Sequence, residues 1–178
     1  MKYLYRQRGS ASVFVLVSCM VLFGVLALVG DVARLYAVKV SARHALNLAL
    51  RAASNQLDME ALADPENPRL VIKEADAEAA FYQVLQANLR LDSSNTPLAG
   101  SIADGPVEVC YFRVVNAPPY TYSFGSHQET VDRVGVTGII RVPVKLSAFA
   151  RAAAEVPEYV GLYVHSTVVP EVLPREGG

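Results

Sequence analysis

Residues 11–30 read ASVFVLVSCMVLFGVLALVG, and no charged residue occurs anywhere from Gly9 to Gly30. Twenty residues of α-helix span about 30 Å, the thickness of the bilayer hydrocarbon. A backbone in lipid must satisfy its own polar groups, so the stretch reads as a transmembrane helix. A cleaved signal peptide has a shorter apolar region and a small-x-small cleavage site. Here the run is longer and ends Leu28-Val29-Gly30, a poor site. The segment is therefore read as an anchor in the cell membrane that crosses once. Lys2, Arg6 and Arg8 precede it without an acid, whereas Arg34, Lys39 and Arg43 follow together with Asp31. The compact basic cluster places the N-terminus in the cytoplasm and the C-terminal part outside it.

Composition supports a divided chain. Of its 178 residues, 52% are hydrophobic and 19% charged, which excludes a disordered polymer. Residues 1–57 carry seven Lys/Arg and one acid, a charge of +6, while residues 58–178 carry nine against sixteen, a charge of −7. The acidic remainder does not suit nucleic acid, whose phosphates require clustered cations. Two cysteines exclude a disulfide-dense scaffold. Cys19 falls within the span and Cys110 in a strand candidate, so both read as small apolar fillers.

The helix is expected to continue beyond the span. Residues 31–57, DVARLYAVKVSARHALNLALRAASNQL, contain no Gly or Pro and are rich in good helix formers. A helix over 11–57 would be about 70 Å long. Leu28, Val32, Leu35, Ala42, Leu46, Ala49 and Ala53 form a stripe with a 3.5-residue period, broken only by Lys39. Such a stripe is a candidate helix-packing seam against other copies or partner helices. Packing on the chain's own C-terminal part explains it equally, and the two uses can share the helix.

Beyond it, Asp58 to Pro68 reads as a break. Asn67 and Pro68 are placed to start a second helix that runs to about Leu91. Its apolar positions are Ile72, Ala75, Ala79, Tyr82, Leu85 and Leu89. Residues 92–106 are loop-like, and strands are expected over 107–115, 134–149 and 160–169. Residues 116–133 read as a long loop bearing Tyr120, Tyr122 and Phe124, and the tail from Val168 onward as mobile. Strands after helices, without βαβ alternation, argue an α+β fold with an antiparallel sheet. The organisation is thus a basic cytoplasmic leader (1–10), a transmembrane helix (11–30), an extracytoplasmic helical extension (31–57) and a small α+β extracytoplasmic domain (58–178).

No catalytic motif emerges, and no cofactor or metal is expected. His44, His127 and His165 lack metal-ligand spacing. Gly125-Ser126-His127 sets a hydroxyl beside an imidazole but lacks the nucleophile elbow.

The N-terminal layout resembles the TadE/TadG-like proteins of bacterial Tad (Flp-type) pilus assembly. The resemblance rests on Arg6-Gln7-Arg8-Gly9-Ser10, the apolar run, Gly30-Asp31-Val32-Ala33-Arg34-Leu35-Tyr36 and the Ala-rich stretch 42–53. It covers about the first third of the chain. It implies a non-enzymatic, membrane-anchored, pilin-like component of a pilus or secretion assembly. The partners so implied are the lipid bilayer and other assembly subunits met through the N-terminal helix, with a homo-oligomer among the arrangements. Processed members resemble type IV pilins, cut after a Gly with Glu at the fifth mature residue. Gly9 and Ser10 form the corresponding leader-processing site, but the fifth residue is Phe14. That departure favours an uncleaved, TadG-like protein. The alternatives are a membrane-anchored extracytoplasmic ligand-binding or sensor domain unrelated to pili, and an anchored enzyme using the region of His127.

Overall fold

The computed structural model describes residues 7–148, 150, 151 and 157–170, with the side chains of residues 7–10 and 127 left aside. The basic leader before Gln7 and the tail beyond Pro170 lie outside the described residues. Helix α1 runs Gln7–Ser54, α2 Met59–Ala63 and α3 Glu74–Leu89. The strands are β1 Glu108–Val115, β2 Tyr120–Phe124, β3 His127–Val131, β4 Gly135–Lys145 and β5 Tyr159–Val168. The fold is α+β. The chain divides into two compact units, one of residues 1–37 and 145–160, the other of 38–144 and 161–178.

In the first unit, the apolar run of α1 is helical throughout. Its side chains are turned outward: Phe14 is 72% exposed, Met20 71% and Phe23 70%. This part of α1 is long and apolar enough to cross a membrane.

In the second unit, the last turns of α1 become amphipathic. Ala42, Ala45, Leu46, Ala49, Leu50 and Ala53 are buried, and Lys39, Arg43 and Arg51 point out. The helix stops without Gly or Pro. Ser54 Oγ donates to the Arg51 carbonyl at 3.0 Å and Gln56 Nε2 to the Ala52 carbonyl at 3.3 Å, satisfying carbonyls that a helix end leaves orphaned.

The expected break over 58–68 contains a short helix. Asp58 caps α2 by accepting from the Glu60 and Ala61 amides. The second long helix starts six residues later than the Asn67-Pro68 signal suggests. Residues 71–73 are extended instead: the Asp58 amide donates to the Val71 carbonyl and the Lys73 amide to the Gln56 carbonyl, both at 2.8 Å. Asn116 grips Ile72 through both its backbone groups. These bonds take the amides that a longer α3 would have used. The buried face of α3 is Ala77, Phe81, Leu85 and Leu89, an i+4 row, so Ala75 and Ala79 are exposed and Tyr82 is half-buried.

The main sheet has the order β1-β4-β5. β1 and β4 are antiparallel from Glu108↔Arg141 to Val115↔Gly135, with a bulge at Cys110. β5 also runs against β4, since Gly135 meets Val168, Thr137 meets Ser166 and Thr167, and Gly161 meets Arg141. Alternation then sorts the faces. Val136, Ile140, Val142 and Val144 are buried on the helix side. Gly138 lies there too, where an added Cβ would come within 3.2 Å of Leu50 and 3.6 Å of Leu46. Phe112, its partner across β1, meets the Phe81 ring of α3 at 4.6 Å.

The other face is covered by the segment expected to be a loop. Residues 120–131 form an antiparallel hairpin turned by Gly125-Ser126, with Gly125 at φ +59. Val115, Tyr122, Val131 and Ile139 make a second small core beneath it. β4 ends at Lys145, short of the expected Phe149.

Candidate functional site

Two features stand out: the outward-facing apolar segment of α1, and a polar clasp at the end of that segment within the same unit. Asp31 is the only acid in the first 57 residues. Its Oδ2 accepts from Ser147 Oγ at 2.6 Å and its Oδ1 from the Ser147 amide at 3.2 Å. Ser147 Oγ in turn accepts from the Ala150 amide at 3.2 Å, the pattern of a helix N-cap. One turn further along α1, Arg34 Nη1 donates to the Lys145 carbonyl at 3.2 Å. Asp31 and Arg34 are spaced i, i+3 and so share a face of α1. Together they hold the chain segment that follows β4.

Lys145 extends the clasp. Its Nζ lies 2.6 Å from Glu158 Oε1 and 6.0 Å from the centre of the Tyr159 ring. The hydrogen bond and the opposite charge raise the Lys145 ammonium above its ordinary value and lower the Glu158 carboxyl below its own. Both groups are well exposed, so the pair orients the segment more than it stabilises it.

The seam predicted from the 3.5-residue stripe falls into two parts. Leu28 is 43% exposed and Val32 66%, and Leu35 is half-buried. In contrast, Ala42, Leu46, Ala49 and Ala53 have no exposed surface, because they are buried in the core of the second unit. Sequence spacing alone does not separate the two parts, since sheet and partner helix make the same demand on a helix face. Gly9 and Ser10 are helical.

In the second unit a polar ladder joins the hairpin to the sheet. Thr167 Oγ1 donates to Thr137 Oγ1 at 3.0 Å, Thr137 Oγ1 to the Tyr122 hydroxyl at 2.9 Å, and Tyr122 to Glu129 Oε2 at 2.7 Å. Thr137 is fully buried, and the ladder satisfies it. Tyr111 stacks on Tyr122 at 4.9 Å, and its hydroxyl pairs with that of Tyr120 at 3.0 Å. Burial, then the Tyr120 hydrogen bond, push the Tyr111 phenol up to about 12. The expected aromatic loop therefore acts as the cover of a sheet face.

Gly125 and Ser126 form the hairpin turn, and residue 127 opens β3. Among the described residues no group of three His, Cys, Asp or Glu side chains gathers as a metal site would require. Both Cys19 and Cys110 are free thiols.

Sequence reasoning missed the Asp31–Ser147 clasp. Two local signs were present: a lone acid just past an apolar run, and a serine before the Ala-rich stretch 148–154, which suits an N-cap. Their pairing across 116 residues carries no sequence signature.

Comparison with known proteins gives one positive result. No curated protein and no solved structure matches the chain. Residues 9–62, which hold the apolar run, Asp31, Arg34 and the amphipathic end of α1, match the family model described as "Putative Flp pilus-assembly TadE/G-like". Over this stretch, just under a third of the chain, the protein is similar to the TadE/TadG-like proteins of Tad (Flp-type) pilus assembly.

Proposed function

We propose that the protein is a membrane-anchored, non-enzymatic, pilin-like component of a Tad/Flp-type pilus or secretion assembly. The observation that carries this reading is the exposure of the apolar run on a TadE/TadG-like helix. Val13, Phe14, Val15, Leu16 and Val17 are each at least half exposed, as are Met20, Val21, Leu22 and Phe23. So large a continuous apolar surface is not tolerated in water and requires lipid or other helices.

In this reading residues 11–30 sit in the cell membrane, with the leader of residues 1–10 in the cytoplasm. Residues 31–57 and the α+β part from 58 onward are extracytoplasmic. Leu28, Val32 and Leu35 are the portion of the stripe that meets other subunits. Ala42, Leu46, Ala49 and Ala53 hold the helix to its own sheet. Phe14, where a processed pilin has Glu, favours retention of the leader before Ser10.

The intact mass of the protein extracted from native membranes tests this. A chain that keeps residues 1–9 is expected. A chain starting at Ser10 would overturn the uncleaved reading and make the protein a processed, filament-type subunit. A soluble chain starting beyond Gly30 would overturn the anchor. Disulfide crosslinking through Cys at Leu28 or Val32 tests the seam. Adducts are expected there and not at the exposed Ala37, on the opposite side of the helix.

A further inference from the structure

A polar cleft of about 660 Å³ lies within the second unit, between the flank of α1 and the end of β5. Its size is that of a ligand site. His44 and Arg51 stand on one wall, two helical turns or about 10 Å apart, with Asn55 one turn further on. No hydrogen bond or ion pair engages these three side chains among the described residues. Three other cations are committed: Arg141 to Glu108, Lys145 to Glu158, and Arg113 over the Tyr120 ring. The lining contains no acid, although residues 58–178 carry sixteen. A concentration of free donors without an acceptor of opposite charge is suited to an anion.

The opposite wall is formed by residues 166–169. Among the described residues β5 is an edge strand, with β4 on one side and no strand on the other. Edge strands present unpaired backbone groups that pair with an added strand. Ser166 hydrogen bonds Asn47 of α1 through its hydroxyl, which fixes the strand end to the helix at the cleft floor. Helix cations and a free strand edge therefore face one space.

We propose that this cleft binds an acidic, extended peptide segment of a partner protein. The peptide backbone pairs with the free edge of β5 at residues 166–168, and its carboxylates are bound by Arg51 and His44, with Asn55 adding an amide donor. Carboxylates on alternate residues of an extended chain recur about every 6.6–6.8 Å on one face, a repeat that flexible Arg and His side chains follow. A phosphate-rich polymer meets the cations equally, but it has no use for a strand edge. The reading goes beyond membrane anchoring and does not depend on it.

The test uses the full chain in detergent and a fluorescein-labelled peptide, acetyl-TEVETE-amide, with the Gln-substituted peptide as control. Fluorescence anisotropy is expected to show saturable binding that is at least tenfold weaker for the Gln peptide. Arg51→Glu and the milder Arg51→Gln each weaken it about tenfold or more, while the thermal melt is retained. Amide exchange at 166–168 slows when peptide is bound. Equal binding of the two peptides, or no loss in the Arg51→Gln protein, overturns the proposal. Competition by inorganic triphosphate without any exchange change at 166–168 also overturns it, in favour of a simple anion site.

Discussion

The two ends of α1 are built from similar residues and live in opposite surroundings. Residues 11–30 are apolar on every side, and Phe23 and Leu22 are 70% and 59% exposed. Residues 38–54 are apolar on one face, and Leu46 and Leu50 there are fully buried. A helix apolar all round needs an apolar surrounding, whereas a one-sided helix supplies half of a core. The difference shows that hydropathy and periodicity are separate signals. The first names the solvent, and the second names a partner surface.

The sharpest way to break this comparison is a matched pair of truncations. Leu46→Ala empties a packed site against β4 and is expected to cost about 2–5 kcal/mol in urea unfolding of the second unit. Leu26→Ala, at 56% exposure, should shift the same transition by less than about 0.5 kcal/mol. Equal effects would mean that the two ends of α1 do not differ as described.

Leu22→Arg addresses the other end. A cation at the centre of a membrane helix costs about 2.5–3.5 kcal/mol on insertion scales. The carbonate-resistant membrane fraction should fall, with the unfolding transition of the second unit unchanged. Membrane retention at the wild-type level would contradict the anchor.

Asp31→Ala sharpens the comparison at the boundary between the two kinds of sequence. It removes the two hydrogen bonds that the Ser147 amide and hydroxyl donate to the carboxylate. Bonds to charged groups contribute roughly 1.5–3 kcal/mol, so amide exchange over 145–151 should accelerate by about ten- to a hundredfold. Exchange in β1 and β4 up to Val144 should not change.

The smallest expected effect is alkaline. The Tyr111 phenol ionises near 10 when unfolded and is pushed up to about 12 in the fold. Its contribution is fully present below pH 10 and is lost as pH rises toward 12, because the unfolded chain then gains the phenolate first. Tyr111→Phe should flatten that part of the pH–stability curve. An unchanged slope would place the alkaline loss elsewhere.

Legibility in the sequence followed range. The apolar run was readable because membrane-length hydrophobicity is a property of consecutive residues. The α+β class and the three strands of the main sheet were readable from β-branched runs, and they fall within one or two residues of expectation except at the end of β4. The hairpin over 120–131 was not readable. Its Pro118-Pro119 and Tyr-rich composition look like a loop, and only the buried face of β4 gives Tyr122 and Val131 a reason to alternate. The start of α3 was missed for the same kind of reason, since Asn116 and Gln56 claim the backbone of Ile72 and Lys73 from far along the chain. Of the candidate site, Asp31 and Arg34 stood within the family-like stretch, but their partners Ser147 and Lys145 did not.

The sequence by itself determined that one helix carries an apolar surface of membrane length, that the charge divides along the chain, and that an antiparallel α+β part follows. Each of these is local, set by side-chain polarity and backbone preference over a few turns. Tertiary structure alone decided which half of the 3.5-residue stripe is free and which is buried, that a Tyr-rich segment closes the second face of the sheet, and that Asp31 takes Ser147. Those outcomes depend on burial and hydrogen-bond satisfaction between residues far apart in sequence, and no periodicity within a single element encodes the identity of the surface that meets it.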